Sequence, residues 1–158
     1  MTVHLWRIGT DTPDDVAEDL KGRGAEITGG RWNRSGRAVV YLSTTAALAC
    51  LETMVHLGGG ALPLNRYLVR VDIPDEIWAR KQALLTETIN PGWDAIPVGR
   101  ISLDLGDGWL AQGESALLVV PSVLVPEEFN VLLNPVHADA RQISAAKVRA
   151  WRYDQRLR

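Results

Sequence analysis

Cysteine is almost missing from this sequence: Cys50 is the only one in 158 residues. No internal disulfide can form, and a reducing compartment suits the chain. No cysteine pair exists to hold zinc, and His4, His56 and His137 lack metal-ligand spacing, so no metal is expected. No apolar run approaches the roughly 20 residues of a membrane helix. The opening "MTVHLWRIGTD" lacks the basic start and apolar stretch of a secretory signal, so a cytoplasmic location is expected, away from membranes. An excess of positive charge is also missing. The 17 basic and 19 acidic residues leave a formal net charge of -2, which argues against direct nucleic-acid binding through a general basic field. Walker, Rossmann and G-x-S-x-G signatures are absent. Phenylalanine occurs once against six tryptophans, enough for some tryptophans to line a site rather than fill a core.

Hydrophobic residues make up 46% of the chain and charged residues 23%, as in an ordinary globular domain with a real core. No repeat, low-complexity segment or long linker divides it, so one domain is expected over 1–158. Apolar and β-branched stretches predict strands at 3–8, 38–43, 65–74, 115–122 and 129–135. "DTPDDVAEDLKGRG" predicts a short helix capped by Thr12 and ended by Gly22 and Gly24. "TTAALACLETMVHL" (44–57) predicts a helix capped by Ser43 or Thr44, with Leu48, Leu51 and Val55 as its buried stripe and "GGG" (58–60) as its stop. "DEIWARKQALL" reads as a short helix, "NPGWDAIPVG" as a loop, and "RISLDLGDGWLAQG" as a helix interrupted near Gly106 and Gly108. The basic tail (Lys147, Arg149, Arg152, Arg156, Arg158) reads as an edge strand or an extension, its charges solvated. Strands and helices mix without a βαβ repeat, which favours α+β.

A few residues could carry chemistry. Arg7 lies inside a strand, where it either faces solvent or meets an anion in a cleft. Arg31 follows Gly29-Gly30; the pair makes a plain turn or lets the backbone approach a ligand. Trp32 either packs on the core or holds a flat ring. Tyr41 is a core aromatic or a stacking face at the mouth of a cleft. Glu52 sits at the margin of the helix stripe, on the flank of Thr45 and His56, where a carboxylate needs a partner. That partner is Arg7 or Arg31, unless Glu52 forms only a structural or exposed pair with His56. Ser122 ends a buried strand. Asn130, Asn134 and His137 read as turn and strand-end residues. Arg34 and Arg37 read as solvent or partner residues.

"LWRI", "GGRWNRSGRAVVYLSTTAALACLETMVHL", "SALLVVPSVLVP" and "NVLLNPVH", in this order, resemble the RES domain family from Leu5 to about His137. The resemblance implies a fold like the ADP-ribosyltransferase toxins, with central β-sheets forming an NAD cleft between flanking helices. The domain core would run over about 3–137, with a C-terminal strand or tail over 143–158. It implies the toxin of a bacterial toxin–antitoxin pair, acting on NAD as a consumed substrate and needing no other cofactor. The implied partner is an Xre-type helix-turn-helix antitoxin that blocks the cleft; homo-oligomers stay open. Carried over, Glu52, Arg31 and Tyr41 would be catalytic. Arg7, Arg31, Trp32, Tyr41, Ser43 and Ser122 would contact NAD, with Ser115 a rival for the serine. Cleaving the nicotinamide–ribose bond builds positive charge on the ribose, which a carboxylate stabilises, and arginines nearby would keep Glu52 charged. NAD degradation by hydrolysis or phosphorolysis is the leading expectation. The alternatives are ADP-ribose transfer to a protein of nucleotide metabolism and a non-catalytic partner-binding module.

Overall fold

The computed structural model describes residues 1–58 and 60–157. Gly59 of the glycine run and Arg158 of the tail lie outside the described residues. Seven strands form one mixed sheet in the order β4-β5-β6-β2-β1-β3-β7. They are β1 (Thr2–Thr10), β2 (Val40–Ser43), β3 (Arg66–Pro74), β4 (Gln82–Ala83), β5 (Leu117–Pro121), β6 (Phe129–Leu133) and β7 (Ser144–Ala150). The β4–β5 pair is parallel and the other neighbours are antiparallel. The helices are α1 (Arg23–Thr28), α2 (Ala46–Met54), α3 (Asp75–Ala79) and α4 (Arg100–Gln112). The architecture is α+β, as the mixed pattern predicts. Among the described residues no helix is long and apolar enough to cross a membrane.

The sheet has a seam. β1 and β3 pair along their whole length, but β1 and β2 share the single register pair Trp6↔Ser43. Side chains alternate faces along each strand. One face therefore carries Leu5, Val40, Leu42, Val71, Leu117, Val131 and Leu133, which fuse into the main core. The other face carries Trp6, Tyr41, Ser43, Leu118, Val120, Asn130 and Leu132, by register. On the β1–β3 half of this second face, α2 packs Ala49 and Cys50 against Ile8, Leu68 and Tyr153. On the β5–β6 half, Trp109 of α4 packs with Trp32, Trp93 and Leu132. Ser43 and Asn130 lie between the two covers.

Several elements differ from the sequence reading. Residues 12–21 form turns, because Thr12 Oγ1 accepts from Asp15 N at 3.0 Å and Asp11 Oδ1 accepts from Ala17 N at 2.7 Å. Such local bonds compete with helix formation; α1 starts only after Gly22, whose φ is 71°. Helix α2 is capped by Thr45 and ends at Met54, before the glycines. Its buried residues are Leu48, Ala49 and Cys50, while Leu51 and Val55 are 42% and 57% exposed. Helix α4 runs through both glycines without interruption. Of the basic tail, Lys147 and Arg149 lie in edge strand β7, paired with β3. Its charges are partly used internally: Lys147 pairs with Asp11 at 2.8 Å and covers the Tyr67 ring, and Arg149 covers the Trp151 ring.

Candidate active site

The stretch before β2 explains its own double glycine. Gly29 ends α1 with φ 71°, a conformation that favours glycine. At Gly30 a Cβ would sit 2.7 Å from the Tyr41 hydroxyl, so only glycine lets the loop close over that ring. The Tyr41 hydroxyl donates to Asn33 Oδ1 at 2.6 Å and accepts from Trp32 N at 3.0 Å. Burial pushes its pKa above the usual phenol range, so the group stays neutral and acts as a loop anchor rather than a base. Asn33 completes the anchor by donating to the carbonyls of Ala25, Arg34 and Arg37. Tyr41→Phe should cost about 1–3 kcal/mol, because Trp32 N–H and Asn33 Oδ1 lose a partner in a buried setting. A urea midpoint equal to that of the native chain would contradict this assignment.

Trp32 is 3% exposed and stacks on Trp93 at 6.2 Å between ring centroids. Its expected role against a ligand ring is therefore replaced by core packing. Arg34 and Arg37 also change roles. Arg34 bridges to Asp104 and Asp107 of α4 at 2.8 and 2.9 Å, and Arg37 Nε lies 3.8 Å from Asp107, so both clamp the loop to the helix.

Arg31, between these fixed residues, reaches the loop before α4. Its Nη1 donates to Trp93 O and Ala95 O, both at 3.0 Å. Burial lowers the guanidinium pKa, and the charges of Asp94 and Glu52 oppose that shift. Arg31 thus stands within the electrostatic reach of Glu52. Its Nη2 and Nε make no hydrogen bond among the described residues, which leaves donors for an anion.

Glu52 projects from α2 toward β5 and β6. Its Oε1 accepts from Ser122 Oγ at 2.6 Å and from Asn130 Nδ2 at 2.7 Å. Ser43 Oγ in turn donates to Asn130 Oδ1 at 2.7 Å. The direct partners of Glu52 are therefore neutral; the expected salt bridge to an arginine is not formed. Ser122 is fixed as a donor, because its own oxygen accepts from Leu124 N and Val125 N, each at 3.1 Å. The rival Ser115 bonds Gln82, Trp109 and the Leu117 carbonyl instead, so Ser122 is the serine that touches Glu52.

Arg7 stays apart. Its register partner Val69 belongs to the main-core face, opposite to Trp6 and Ser43. Its Nη1 donates to Asp19 O at 3.2 Å. Burial lowers its pKa against the field of Asp19. An arginine on an apolar strand face has found a carbonyl and a nearby carboxylate; it makes no hydrogen bond to Glu52, Ser122 or Asn130.

The site is therefore a carboxylate at a sheet seam, held on one oxygen and within electrostatic reach of an arginine with donors to spare. Of the seven residues named from the sequence, Glu52, Ser122 and Ser43 share this network with Asn130 and Arg31 lies within its electrostatic reach, whereas Arg7, Trp32 and Tyr41 are bonded or packed elsewhere; Asn130 was missed as a partner of Glu52. The available signal was a lone amide in an apolar strand, flanked by Phe129 and Val131 on the opposite face.

The profile of the RES domain matches residues 4–155 of this chain. The chain belongs to the RES domain family. A relative from Sphingobium sp. (strain YBL2), named Prs ADP-ribosylating toxin, is 54% identical over 157 residues, covering 99% of this chain and 98% of its own. A protein of Yersinia enterocolitica named Toxin Res is 35% identical over 144 residues, covering 90% and 93% of the two chains. The solved M. tuberculosis MbcT–MbcA toxin–antitoxin complex contains a chain that is similar in fold, with a TM-score of 0.59 and 14% identity over 94% of this chain and 85% of that one. In this RES domain the seam residues Glu52, Ser122, Asn130 and Ser43 come from α2, the end of β5, β6 and β2. The fold, not the local sequence, brings them together.

Proposed function

We propose that this RES domain is the toxin of a toxin–antitoxin pair and that it cleaves the nicotinamide–ribose bond of NAD, passing ADP-ribose to a protein. The observation that carries the reading is the Glu52 carboxylate, held through Oε1 by Ser122 and Asn130, with Oε2 left to face a substrate. As nicotinamide leaves, positive charge grows on the ribose ring. A preoriented carboxylate lowers the energy of that state and can hold a ribose hydroxyl. Arg31 offers Nη2 and Nε to the pyrophosphate. Nicotinamide leaves as a neutral molecule, so no strong general acid is required. NAD is consumed in this scheme, and its carrier role in redox chemistry is not used.

The sequence reading puts degradation first and transfer to a protein second. The name Prs ADP-ribosylating toxin, borne by a relative that matches nearly the whole chain, favours transfer and suggests Prs as the acceptor. The toxin names of the relatives and the MbcT–MbcA complex support an antitoxin partner, which in this reading covers the seam. The test is to incubate the purified chain, free of any partner, with NAD labelled in the adenylate part and with Prs. Nicotinamide release with a labelled Prs band is expected. Release with only free ADP-ribose or its phosphate would move the reading to degradation. No NAD loss at all would overturn it.

A further inference from the structure

We propose that Asn130 is a positioning residue, an amide relay that ties Ser43 to Glu52 and leaves only Oε2 of the carboxylate free for substrate. The proposal rests on Glu52 acting as read above. Its geometry follows from hydrogen-bonding capacity. A carboxylate only accepts, so the Asn130 group facing Oε1 at 2.7 Å must be Nδ2. Oδ1 then faces the Ser43 hydroxyl at 2.7 Å, and that hydroxyl must donate. Ser43 is buried, and so cannot trade this bond for bulk water. On the other side, Ser122 has its oxygen occupied by two backbone N–H groups and has one proton to give, which goes to Oε1. Two donors from the neighbouring strands β5 and β6, Ser122 just past the end of the first and Asn130 within the second, therefore converge on one oxygen. Neither bond is redundant. Ser122 sets the distance of the carboxylate from the end of β5, and Asn130 sets its rotation over β6.

The register makes this relay possible. Ser43 and Asn130 are direct partners across β2 and β6, and Asn130 is also the partner of Val120 on β5. All three side chains stand on the face that α2 overhangs. The seam pair Trp6↔Ser43 places the far end of the relay where the two halves of the sheet meet. Arg31 is a charged side chain within electrostatic reach of Glu52. Asn130 itself carries no charge, so it orients the carboxylate without competing with Arg31 for a substrate anion.

Asn130→Ala and Asn130→Asp test the relay, with Ser43→Ala as a milder variant that leaves Asn130 in place. Losing one orienting bond should lower kcat on the order of tenfold to a hundredfold in Asn130→Ala, with KM for NAD nearly unchanged. Ser43→Ala should fall between that variant and the native chain. Asn130→Asp has a signature of its own. Two carboxyl groups in contact share one proton. Once protonated, the carboxyl group introduced by Asn130→Asp can donate to Oε1 as the amide did, so activity relative to the native chain should rise as pH is lowered. A role in strand packing alone would give no such pH-dependent rescue. A ratio flat with pH, or unchanged kcat in Asn130→Ala, would overturn the relay. One readout is independent of turnover. The Asn130 side-chain amide protons, followed by NMR in the free chain, should exchange slowly and lose that protection in Glu52→Ala. Unprotected amide protons in the native chain would sink the relay even if NAD is consumed. Protected protons in a chain that leaves NAD untouched would keep the relay and overturn the functional reading.

Discussion

Glu52→Gln should lower nicotinamide release at least about 10²–10³-fold, the scale on which a preorganised electrostatic contact acts in a transition state. The substitution isolates charge from shape. The Gln carbonyl oxygen can take the place of Oε1 and accept from Ser122 and Asn130, both of which are donors in the native arrangement. The amide nitrogen then stands where Oε2 stood. Orientation and packing are kept, and the negative charge toward the ribose is lost. Thermal stability should change little. Glu52→Ala behaves differently, because it leaves Ser122 Oγ and Asn130 Nδ2 without their acceptor and should cost about 1–3 kcal/mol. The pair of variants separates the catalytic loss from the structural one. If Glu52→Gln keeps more than about a tenth of native kcat, the carboxylate is not what stabilises the ribose charge, and the site must be sought elsewhere.

Glu52 was visible in the sequence as a carboxylate on the flank of an apolar helix stripe, but its setting was not. Ser122 and Asn130 lie 70 and 78 residues away in the chain. Their meeting depends on the β2–β6 register, which no local pattern encodes. Strands were legible because the β-branched and apolar runs read at 38–43, 115–122 and 129–135 leave few other readings, and β2, β5 and β6 fall inside them. The orientation of α2 was less so. Leu51 and Val55 fit a buried stripe by spacing, yet the small Ala49 and Cys50 face the sheet instead and let α2 lie close to it. Arg7 shows the same limit: periodicity places it on a strand, while only the partner strand tells which face it takes. For residues 12–21 the composition suggested a capped helix, but the capping groups bond within turns.

The same contrast governs the two glycines of α4, and they should respond to substitution in opposite directions. Read alone, Gly106 and Gly108 weaken a helix, and a glycine inside a helix costs about 1 kcal/mol relative to alanine. Gly108 has open space around it, so Gly108→Ala should stabilise by roughly 0.5–1 kcal/mol. Gly106 is buried against the loop before β2. A Cβ there would lie 2.6 Å from the Trp32 carbonyl carbon and 2.8 Å from Trp32 Cβ, overlapping the carbonyl oxygen outright. Much of the obstacle is backbone, which cannot rotate away. Neither partner can retreat freely. Arg34 ties the loop to Asp104 and Asp107 on the same helix, and Trp32 is stacked on Trp93. Overpacking usually costs about 1–3 kcal/mol, and Gly106→Ala should reach about the top of that range. At roughly 2–4 °C per kcal/mol for a chain of this size, the melting temperature should fall by about 6–12 °C. Activity should fall as well, because Arg31 adjoins Trp32 and holds the Trp93 and Ala95 carbonyls. A shift in Trp32 would move the guanidinium relative to Glu52. Equal melting temperatures for the two alanine variants would mean that α4 and the Arg31 loop do not meet this closely, and the link between helix packing and the site would be lost.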